Sequence, residues 1–404
     1  MSGVIWTLRN RAVVTLMLGH MTVDSYVGLL PVLYPLLIGR FHLSLGTVGL
    51  VTLAYTGMAS ISQPLFGLAA DRWGTRFTGL ALVWTAATFA AVGFAPSFPV
   101  LVAIAFASGA GSAAFHPFGA LTVRRLLPSR GMSAAMSVYV TGGTIGVALG
   151  PLIGVAVFGL VGVRGTALML LPGLCIAVYL LVAMRGRSEA TRPPARSTGA
   201  RGAVAMLPLA ATVGVMASRS WTTTTLQAFT PTWYHLLGYQ PWFYGPLATT
   251  IVLSSAIGTV GCGSLADRFG RRTVILAALA LSIPAVALFV LFPGPLGFLW
   301  AVLVGALAAS TAPLMLLMAQ ELIAGRAGLA SGLIMGLGFV AGAVGTPVTG
   351  AVSDHFGLQV GLGLQVLVVA LTIPIAMLLP TEAQLGRLRK AAAPASAPAL
   401  ATGE

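Results

Sequence analysis

The chain has 404 residues, of which 57% are apolar and 7% are charged, and its mean hydropathy is +0.95. A soluble surface needs about a quarter of its residues charged, so this composition excludes a water-soluble protein and indicates one immersed in lipid. The net charge of +14 does not indicate a nucleic-acid partner, because no soluble domain with a clustered basic face fits between the apolar segments. Two cysteines, both within apolar segments, exclude a disulfide scaffold and a cysteine-based zinc site.

Apolar segments long enough to cross a bilayer follow one another along the chain. A hydrocarbon core about 30 Å thick needs about 20 helical residues, and glycine, proline and charge clusters divide the sequence into twelve such segments. None of them alternates with a period of two, so helices are predicted and a barrel is not. The first segment lacks a cleavage motif and is predicted to be retained as a membrane helix. The twelve predicted helices are 13–38, 46–70, 77–95, 98–123, 132–159, 163–184, 204–236, 243–266, 273–292, 296–320, 327–352 and 358–380.

The basic residues fall almost entirely on one side of the predicted membrane. With a cytoplasmic N-terminus, 19 of the 22 lie in inner loops or tails, Arg40 and Arg164 lie outside, and Arg219 lies within a helix. The positive-inside rule therefore predicts a multi-pass protein of the inner membrane with both termini in the cytoplasm. The predicted domains are a six-helix bundle at 1–184, a basic cytoplasmic linker at 185–203, a second six-helix bundle at 204–380 and a disordered cytoplasmic tail at 381–404.

The second half of the chain repeats the first at an offset of 196 residues. Gly109, Pro117, Gly142 and Pro151 recur at Gly305, Pro313, Gly338 and Pro347, and a loop motif recurs in register. Together with the twelve helices, this repeat predicts an all-α polytopic membrane protein built from two parallel six-helix repeats about an axis along the membrane normal. The two copies of the loop motif are Gly67, Asp71, Arg72, Gly74, Arg76 and Gly263, Asp267, Arg268, Gly270, Arg272.

The duplicated loops are predicted to gate the cytoplasmic side. They place Asp71 and Asp267 beside guanidinium groups and near helix N-termini, where a carboxylate is favoured. Glu321, at the cytoplasmic end of the tenth helix, is predicted to pair in the same gate with an arginine of the inner loops, such as Arg268 or Arg326. The alternative is that these charges only set the topology. The predicted gating residues are Asp71, Arg72, Arg76, Asp267, Arg268, Arg272, Glu321, Arg130 and Arg326.

Two charges lie where a membrane helix is expected to have none. An ionisable side chain near mid-bilayer costs about 2.5–3.5 kcal/mol on insertion scales, so Asp24 and Arg219 are functional candidates. The repeat offset places them at nearly the same depth, and we expect them to face each other across a central cleft. Asp24 and His20, one turn apart, are the proposed proton-coupling groups, and Arg219 is the proposed site for an anionic substrate group. The alternatives are a structural ion pair for Asp24 and Arg219, and a polar core residue for His20.

Further polar residues are predicted to lie near this pair. His116 precedes Pro117 in a run of small residues, and it is either a cleft-facing proton-coupling group or a hydrogen-bonded neighbour of a helix kink. Thr223 and Gln227 follow Arg219 on the same helical face. Together with Gln63 and Tyr139 they are the candidate uncharged substrate contacts. No catalytic constellation or metal-ligand set occurs outside the predicted helices, and no nucleotide-binding loop occurs in the sequence, so we expect no enzyme, no cofactor and no ATP-driven pump.

The duplicated loop resembles the signature loop of the major facilitator superfamily, and the resemblance covers about residues 11–380. The run Gly142, Gly146, Gly150, Pro151 and Gly154 is similar to the glycine-rich motif of its proton-coupled antiporters, although small residues at this spacing also suit plain helix packing. Within the superfamily the chain resembles the bacterial fosmidomycin-resistance efflux proteins, but Phe118 and Thr144 stand where that family tends to carry Glu and Asn. The similar strings include His20 to Asp24, Leu30 to Leu37, Gln63 to Gly67, Gly109 to Pro117 and Ala319 to Arg326.

This resemblance implies a secondary transporter that exports small toxic or metabolic molecules in exchange for protons by alternating access. The expected partners are a small-molecule substrate, protons and the bilayer, with no nucleic acid, and the expected state is a monomer. An alternative within transport is a proton symporter or uniporter that takes up an organic anion. An alternative outside transport is a membrane receptor or scaffold that transports nothing.

Overall fold

The computed structural model describes residues 10–73, 77–126, 132–183, 205–323 and 327–392. Helices make up nearly all of these residues, and no strand occurs among them. The membrane helices, numbered α1 to α12, are α1 (Arg11–Phe41), α2 (Leu45–Thr52, a π-helical turn at Leu53–Gly57, and Met58–Trp73), α3 (Thr78–Ala91, then a 3₁₀ turn at Val92–Phe94), α4 (Phe98–Leu126), α5 (Met132–Val161), α6 (a 3₁₀ stretch at Gly162–Met169, then Leu170–Ala183), α7 (Met206–Leu236), α8 (Pro241–Phe269), α9 (Arg271–Leu291), α10 (Gly297–Ala308 and Ala312–Leu322), α11 (Ala327–Phe356) and α12 (Leu358–Ala376).

The prediction of twelve membrane helices is confirmed. Nine stretches of the described chain are long and apolar enough to cross a bilayer, and one of them runs through both α5 and α6. Large apolar side chains such as Leu160, Ile257 and Leu371 are exposed on the outside of the bundle. Such a surface is stable only against lipid, which agrees with the excess of apolar residues in the composition.

The tenth helix differs from its prediction, because it is broken where an unbroken helix over 296–320 was expected. Its first part ends at Ala308 and its second begins at Ala312. Pro313 contributes to the break, because it has no N–H to donate to the carbonyl of Ala309 one turn earlier. The break leaves backbone carbonyls in the middle of the membrane that need donors from elsewhere.

Each half is built around one close helix pair, α1 with α5 in the first half and α7 with α11 in the second. A Cβ atom on Gly146 would overlap the backbone carbonyl of Met21, and one on Gly342 would lie 2.7 Å from the carbonyl of Ser220. The glycine-rich run therefore lets two helix backbones approach closely. This is the packing role that was the alternative to an antiport motif, and the repeat carries it in both halves.

The chain end corrects a prediction. Residues 381–404 were expected to be disordered, but Glu382–Ala392 form a helix, α13, after the last membrane helix. Thr381 and Gln384 cap it reciprocally, with the Thr381 N–H donating to the Gln384 side chain at 2.8 Å and the Gln384 N–H donating to the Thr381 hydroxyl at 3.3 Å. Leu385 is fully buried against the second half. The linker 185–203 and residues 393–404 lie outside the described residues.

The two ends of the bundle are named here by their charge. The basic end carries Arg72, Arg268, Arg271 and Arg272 together with α13. The far end carries the connections between α1 and α2 and between α11 and α12. By the positive-inside rule the basic end is the predicted cytoplasmic one.

The close approach of α1 and α5 yields a stability prediction. Replacing Gly146 with leucine inserts a side chain where a backbone carbonyl already lies, and overpacking of this kind costs about 1–3 kcal/mol or more. We expect Gly146→Leu to lower the melting temperature of the detergent-solubilised protein by several degrees. Gly159→Leu in the same helix is the matched control, because a Cβ there meets no atom within 4 Å. Equal melting temperatures for the two variants would contradict this packing.

Candidate functional site

A buried carboxylate bound by two imidazoles lies in the first half. Asp24 Oδ2 is 3.2 Å from His20 Nε2, one turn earlier on α1, and Asp24 Oδ1 is 3.5 Å from His116 Nε2 on α4. The His20 and His116 rings meet edge to face with centroids 5.0 Å apart. The structure thus brings together all three residues that the sequence singled out for proton coupling. We call His20, Asp24 and His116 the proton cluster.

A backbone carbonyl fixes how protons can be arranged in this cluster. His20 Nδ1 lies 2.8 Å from the carbonyl oxygen of Tyr139, and a carbonyl can only accept, so Nδ1 carries a proton. The hydrogen bond between His20 Nε2 and Asp24 then needs a second proton, which makes the pair either imidazolium with carboxylate or neutral imidazole with carboxylic acid. The Tyr139 ring stacks on the His20 ring at a centroid distance of 4.3 Å, and its hydroxyl donates to the His116 carbonyl at 3.4 Å.

Tyr139 therefore supports the proton cluster, and its polar atoms are engaged within the first half. Gly143, one turn later on α5, leaves room for the cluster, because a Cβ there would lie 2.5 Å from Asp24 Oδ2 and 2.6 Å from His20 Nε2. Phe118 lies elsewhere, in an apolar cavity of about 300 Å³ between α2, α3 and α4, where its ring meets that of Phe77. The departure from the related family at Phe118 thus leaves the cluster intact.

Two imidazoles and a carboxylate are also a donor set that transition metals accept. The ligand atoms of the proton cluster all lie within 4.8 Å of one another. A metal centre needs lone pairs directed at one point, whereas Asp24 offers a different oxygen to each histidine, and the 3.2 Å contact with His20 has hydrogen-bond length. The geometry favours a hydrogen-bonded proton site over a metal centre.

Asp24 and Arg219, which were expected to face each other across a cleft, do not form an ion pair in this conformation, so the alternative of a structural ion pair between them is wrong here. Among the described residues, the ion pairs of Asp24 are those with His20 and His116. Arg219 instead donates through Nη2 to the carbonyl of Ala309, one of those exposed by the break in α10, and through Nη1 to the sulfur of Met216 at 3.9 Å. Its Nε is buried with no hydrogen-bond partner in the described chain. The repeat offset predicts a similar depth for the two charges, but a shared depth does not determine their hydrogen-bond partners.

The remaining predicted substrate contacts lie on α7, beyond Arg219, or on α2. Thr223 and Gln227 are half-buried on α7, and the Thr223 hydroxyl donates to the Arg219 carbonyl at 3.1 Å. Gln63 is half-buried on α2. Their role in binding a substrate stays a prediction.

The predicted gate residues do not form ion pairs with one another where the structure describes them. Arg72, Asp267 and Arg268 are exposed at the basic end, and Arg272 donates to the carbonyl of Met377 at 2.6 Å. The Arg268 guanidinium lies 5.2 Å from the centre of the Phe269 ring. The side chain of Asp71 and all of Arg76, Arg130 and Arg326 lie outside the described residues. A gate at this end stays a prediction for another conformation.

Glu321 pairs with an inner-loop arginine, as expected, and the described partner is Arg271. Arg271 binds Glu321 through both terminal nitrogens at 3.1 and 3.0 Å, while Arg326 lies outside the described residues and its pairing stays a prediction. The same guanidinium binds Glu382 of α13 at 2.8 and 2.9 Å, and Arg271 is 8% exposed. One buried arginine thus joins α9, α10 and α13, which makes Glu321 a part of a clasp within the second half.

A contact between the halves at the far end was missed by the sequence analysis. The Asp354 carboxylate at the end of α11 accepts hydrogen bonds from the backbone N–H groups of Leu45 at 2.6 Å and Gly46 at 2.9 Å. These are the first N–H groups of α2, which have no partner within their own helix and which favour a negative charge. Asp354 therefore fixes the second half to the first. Its repeat counterpart is Phe158, so the duplication could not reveal it.

Close backbone packing extends this far-end seal, which we define as Leu45, Gly46, Gly49, Pro347, Ala351 and Asp354. A Cβ on Gly46 would lie 3.0 Å from Ala351 N, and one on Gly49 would lie 2.7 Å from Pro347 Cα. A second interhalf contact joins α8 to α5, where the Thr249 hydroxyl donates to the Ala148 carbonyl at 2.7 Å. Pairs of glycine and proline at this spacing were a signal of close helix contact, but the sequence did not show which helices it joins.

Comparisons with known proteins agree with this architecture. A family model described as the Major Facilitator Superfamily matches residues 16–262 and 222–402. The MFS-type transporter YfnC of Bacillus subtilis is 30% identical over 382 residues, which cover 91% of this chain and 92% of that protein. The fosmidomycin resistance protein of Escherichia coli is 27% identical over 361 residues, covering 85% and 86%. A crystal structure of a bacterial homologue of the human lysosomal transporter Spinster, inward-facing and occupied, superposes with a TM-score of 0.81 at 16% identity, covering 96% and 99%.

The far-end seal predicts the effect of removing its carboxylate. A carboxylate at a helix N-terminus contributes about 0.3–1 kcal/mol, so Asp354→Ala is expected to shift the balance between closed and open far ends about two- to fivefold toward open. Spin labels at Gly39 and Val360, in a background with both native cysteines replaced, would report the change as longer distances in pulsed dipolar spectra. His355→Ala, an exposed neighbour, is the control. An unchanged distance distribution for Asp354→Ala would show that the seal does not depend on this charge.

Proposed function

Because the chain belongs to the major facilitator superfamily, we propose that it is a secondary active transporter that exports small molecules in exchange for protons. Transport across a membrane follows from the family itself. The direction, the proton coupling and an anionic substrate are the proposal. We further propose that the basic end faces the cytoplasm, which places both termini inside and the chain in the inner membrane.

The observation that carries the proton coupling is the hydrogen bond between His20 and Asp24. Since the Tyr139 carbonyl requires a proton on His20 Nδ1, the 3.2 Å contact requires another between Nε2 and Oδ2. Removing that proton leaves two lone pairs facing each other, so the cluster must rearrange when it deprotonates. His116, on the other carboxylate oxygen, is placed to hold or pass on the proton. A site whose geometry depends on one proton is what coupling to a proton gradient needs.

The substrate site is proposed around Arg219 in the second half. A guanidinium with one buried N–H unpaired among the described residues, facing a helix break, suits an anionic oxygen of a carboxylate or phosphonate. Thr223 and Gln227 add uncharged hydrogen-bonding groups on the same helix. If Asp24 were bound to Arg219, an anionic substrate would displace the Asp24 carboxylate, and the displaced carboxylate would tend to take up a proton. Substrate and proton would then bind together, which couples them in the same direction. The separate partners of the two charges remove this obstacle to antiport.

The proposed cycle is alternating access between the two halves. The far-end seal closes the periplasmic side, and substrate would load from the cytoplasm in this conformation. Opening the far end breaks the contacts of Asp354 and Gly46 and would expose the substrate outside, while a proton enters the cluster for the return step. The rival proposal, uptake by symport, uses the same residues with protons and substrate moving together.

Transport in everted membrane vesicles separates these proposals. A drug-sensitivity panel in an efflux-deficient host, including fosmidomycin, first identifies a substrate, and its addition to energised vesicles should then release protons by exchange. We expect Asp24→Asn to abolish this exchange, because the amide cannot take up the proton. His235→Gln, an exposed histidine at the far end, should leave exchange intact and is the control. Substrate accumulation driven in the same direction as the protons would establish symport instead.

The charge of Arg219 predicts substrate selectivity. Hydrogen bonds to charged groups contribute about 1.5–3 kcal/mol, so Arg219→Gln is expected to weaken transport of an anionic substrate by about tenfold or more. Arg219→Lys keeps the charge but loses the planar donor pair, and an intermediate loss is expected. Binding of the identified substrate to the purified variants by calorimetry checks the same ratio without the proton gradient. Equal affinities for wild type and Arg219→Gln would remove Arg219 from the substrate site.

A further inference from the structure

A cavity at the outer edge of the second half is unrelated to either charged site. It has a volume of about 590 Å³ and lies at the basic end between the start of α7, the start of α9, the end of α12 and α13. Two guanidinium groups, Arg272 and Arg387, line it together with Gln384. The rest of its wall is apolar and includes Leu207, Pro208 and Leu378.

The two arginines of this cavity lack an acidic partner in the described part of the chain. The nearby carboxylates of Glu321 and Glu382 are both bound by Arg271, and no carboxylate of the described residues lies within ion-pair distance of Arg272 or Arg387. Arg272 donates through Nη2 to the Met377 carbonyl, while its Nε is buried without a hydrogen-bond partner among these residues. Two guanidinium groups that line one cavity without a carboxylate between them repel each other, so an anionic acceptor from outside the chain suits this position.

The surface beside the cavity is apolar and open to the bilayer. Leu207 near the start of α7 is 64% exposed, and Leu371 and Leu378, near and beyond the end of α12, are 62% and 50% exposed. The basic pair therefore lies at the membrane boundary with an exposed apolar wall below it. A ligand that fits both parts has an anionic head and long apolar chains.

We propose that this cavity binds the phosphate of an anionic phospholipid, with the acyl chains lying along α7 and α12. Arg272 supplies the rigid part of the phosphate site, because it is held by the Met377 carbonyl. Arg387 closes it from α13, whose position depends on the buried Leu385 and on the clasp between Glu382 and Arg271. Guanidinium pairs and basic pockets at the cytoplasmic leaflet are suited to phosphate groups. The lipid thereby joins α13 to the membrane helices.

The test is lipid binding to the full-length protein in detergent, measured by native mass spectrometry with dioleoyl phosphatidylglycerol and dioleoyl phosphatidylcholine. We expect one phosphatidylglycerol to bind more tightly than any phosphatidylcholine, and Arg387→Gln and Arg272→Gln each to weaken it about tenfold or more. Arg164→Gln, an exposed arginine away from the basic end, removes the same charge and should leave binding unchanged. Arg387 is exposed, so its variant is expected to fold even where Arg272→Gln does not.

The source of the phosphate is decided by a second arm with inorganic phosphate. Stabilisation of the protein against heat by phosphatidylglycerol, but not by millimolar inorganic phosphate, supports a lipid. Equal stabilisation by both would overturn the lipid in favour of a free anion. Phosphatidylglycerol affinity that is the same in wild type and Arg387→Gln would overturn the site. Neither measurement depends on transport, so the lipid site can be disproved without disproving the proposed transport function, and the reverse is also true.

Discussion

A carboxylate inside a membrane has to be satisfied by the protein, and the organisation of the first half follows from how Asp24 meets this requirement. The Asp24 side chain is 17% exposed, so its oxygens depend mainly on groups that the fold itself provides. His20 lies 3.2 Å from one oxygen and His116 lies 3.5 Å from the other, the Tyr139 carbonyl orients His20, and Gly143 leaves the space in which they meet. The close approach of α1 and α5 through glycine therefore serves the chemistry as well as the packing.

Each half satisfies its own buried charge, and this leaves the contact between the halves free of strong ion pairs where the structure describes it. Arg219 is bound within the second half, as is the clasp around Arg271. The far-end seal uses backbone packing and one carboxylate at a helix N-terminus, an interaction of about 0.3–1 kcal/mol. An electrostatic interaction of this strength can break and form again as the halves move. By comparison, removing one partner of a buried ion pair costs about 3–5 kcal/mol. Two halves that are each held together internally, with a weak contact between them, are suited to rocking against each other.

The sequence predicted the helices and the repeat well, because hydropathy and proline or glycine spacing act locally along the chain. It predicted the proton cluster only in part, since His20 and Asp24 share a helical face but the position of His116 depends on how α4 packs. It paired Asp24 with Arg219 wrongly, because an offset in sequence gives depth and not direction around the helix axis. Asp354 has no acidic counterpart in the first half, where Phe158 stands at the equivalent position, so the repeat did not indicate it. Helix α13 was missed because its order depends on contacts with Arg271 and with the core around Leu385.

The duplicated fold carries different chemistry in its two halves, and one proline shows how. Pro117 lies inside an unbroken α4, whereas its counterpart Pro313 follows a break in α10. The offset of 196 places Ala312 at the position of His116 and Met216 at that of His20, so the second half has no imidazole in either place. It has Arg219 instead, which contacts Met216 and the carbonyl that the break exposes. The same helix arrangement thus carries an acid with two imidazoles in one half and an arginine without a carboxylate partner among the described residues in the other. If the proposed proton and anion sites lie in separate halves in this way, coupling between them has to pass through the relative position of the halves, on which the far-end seal acts.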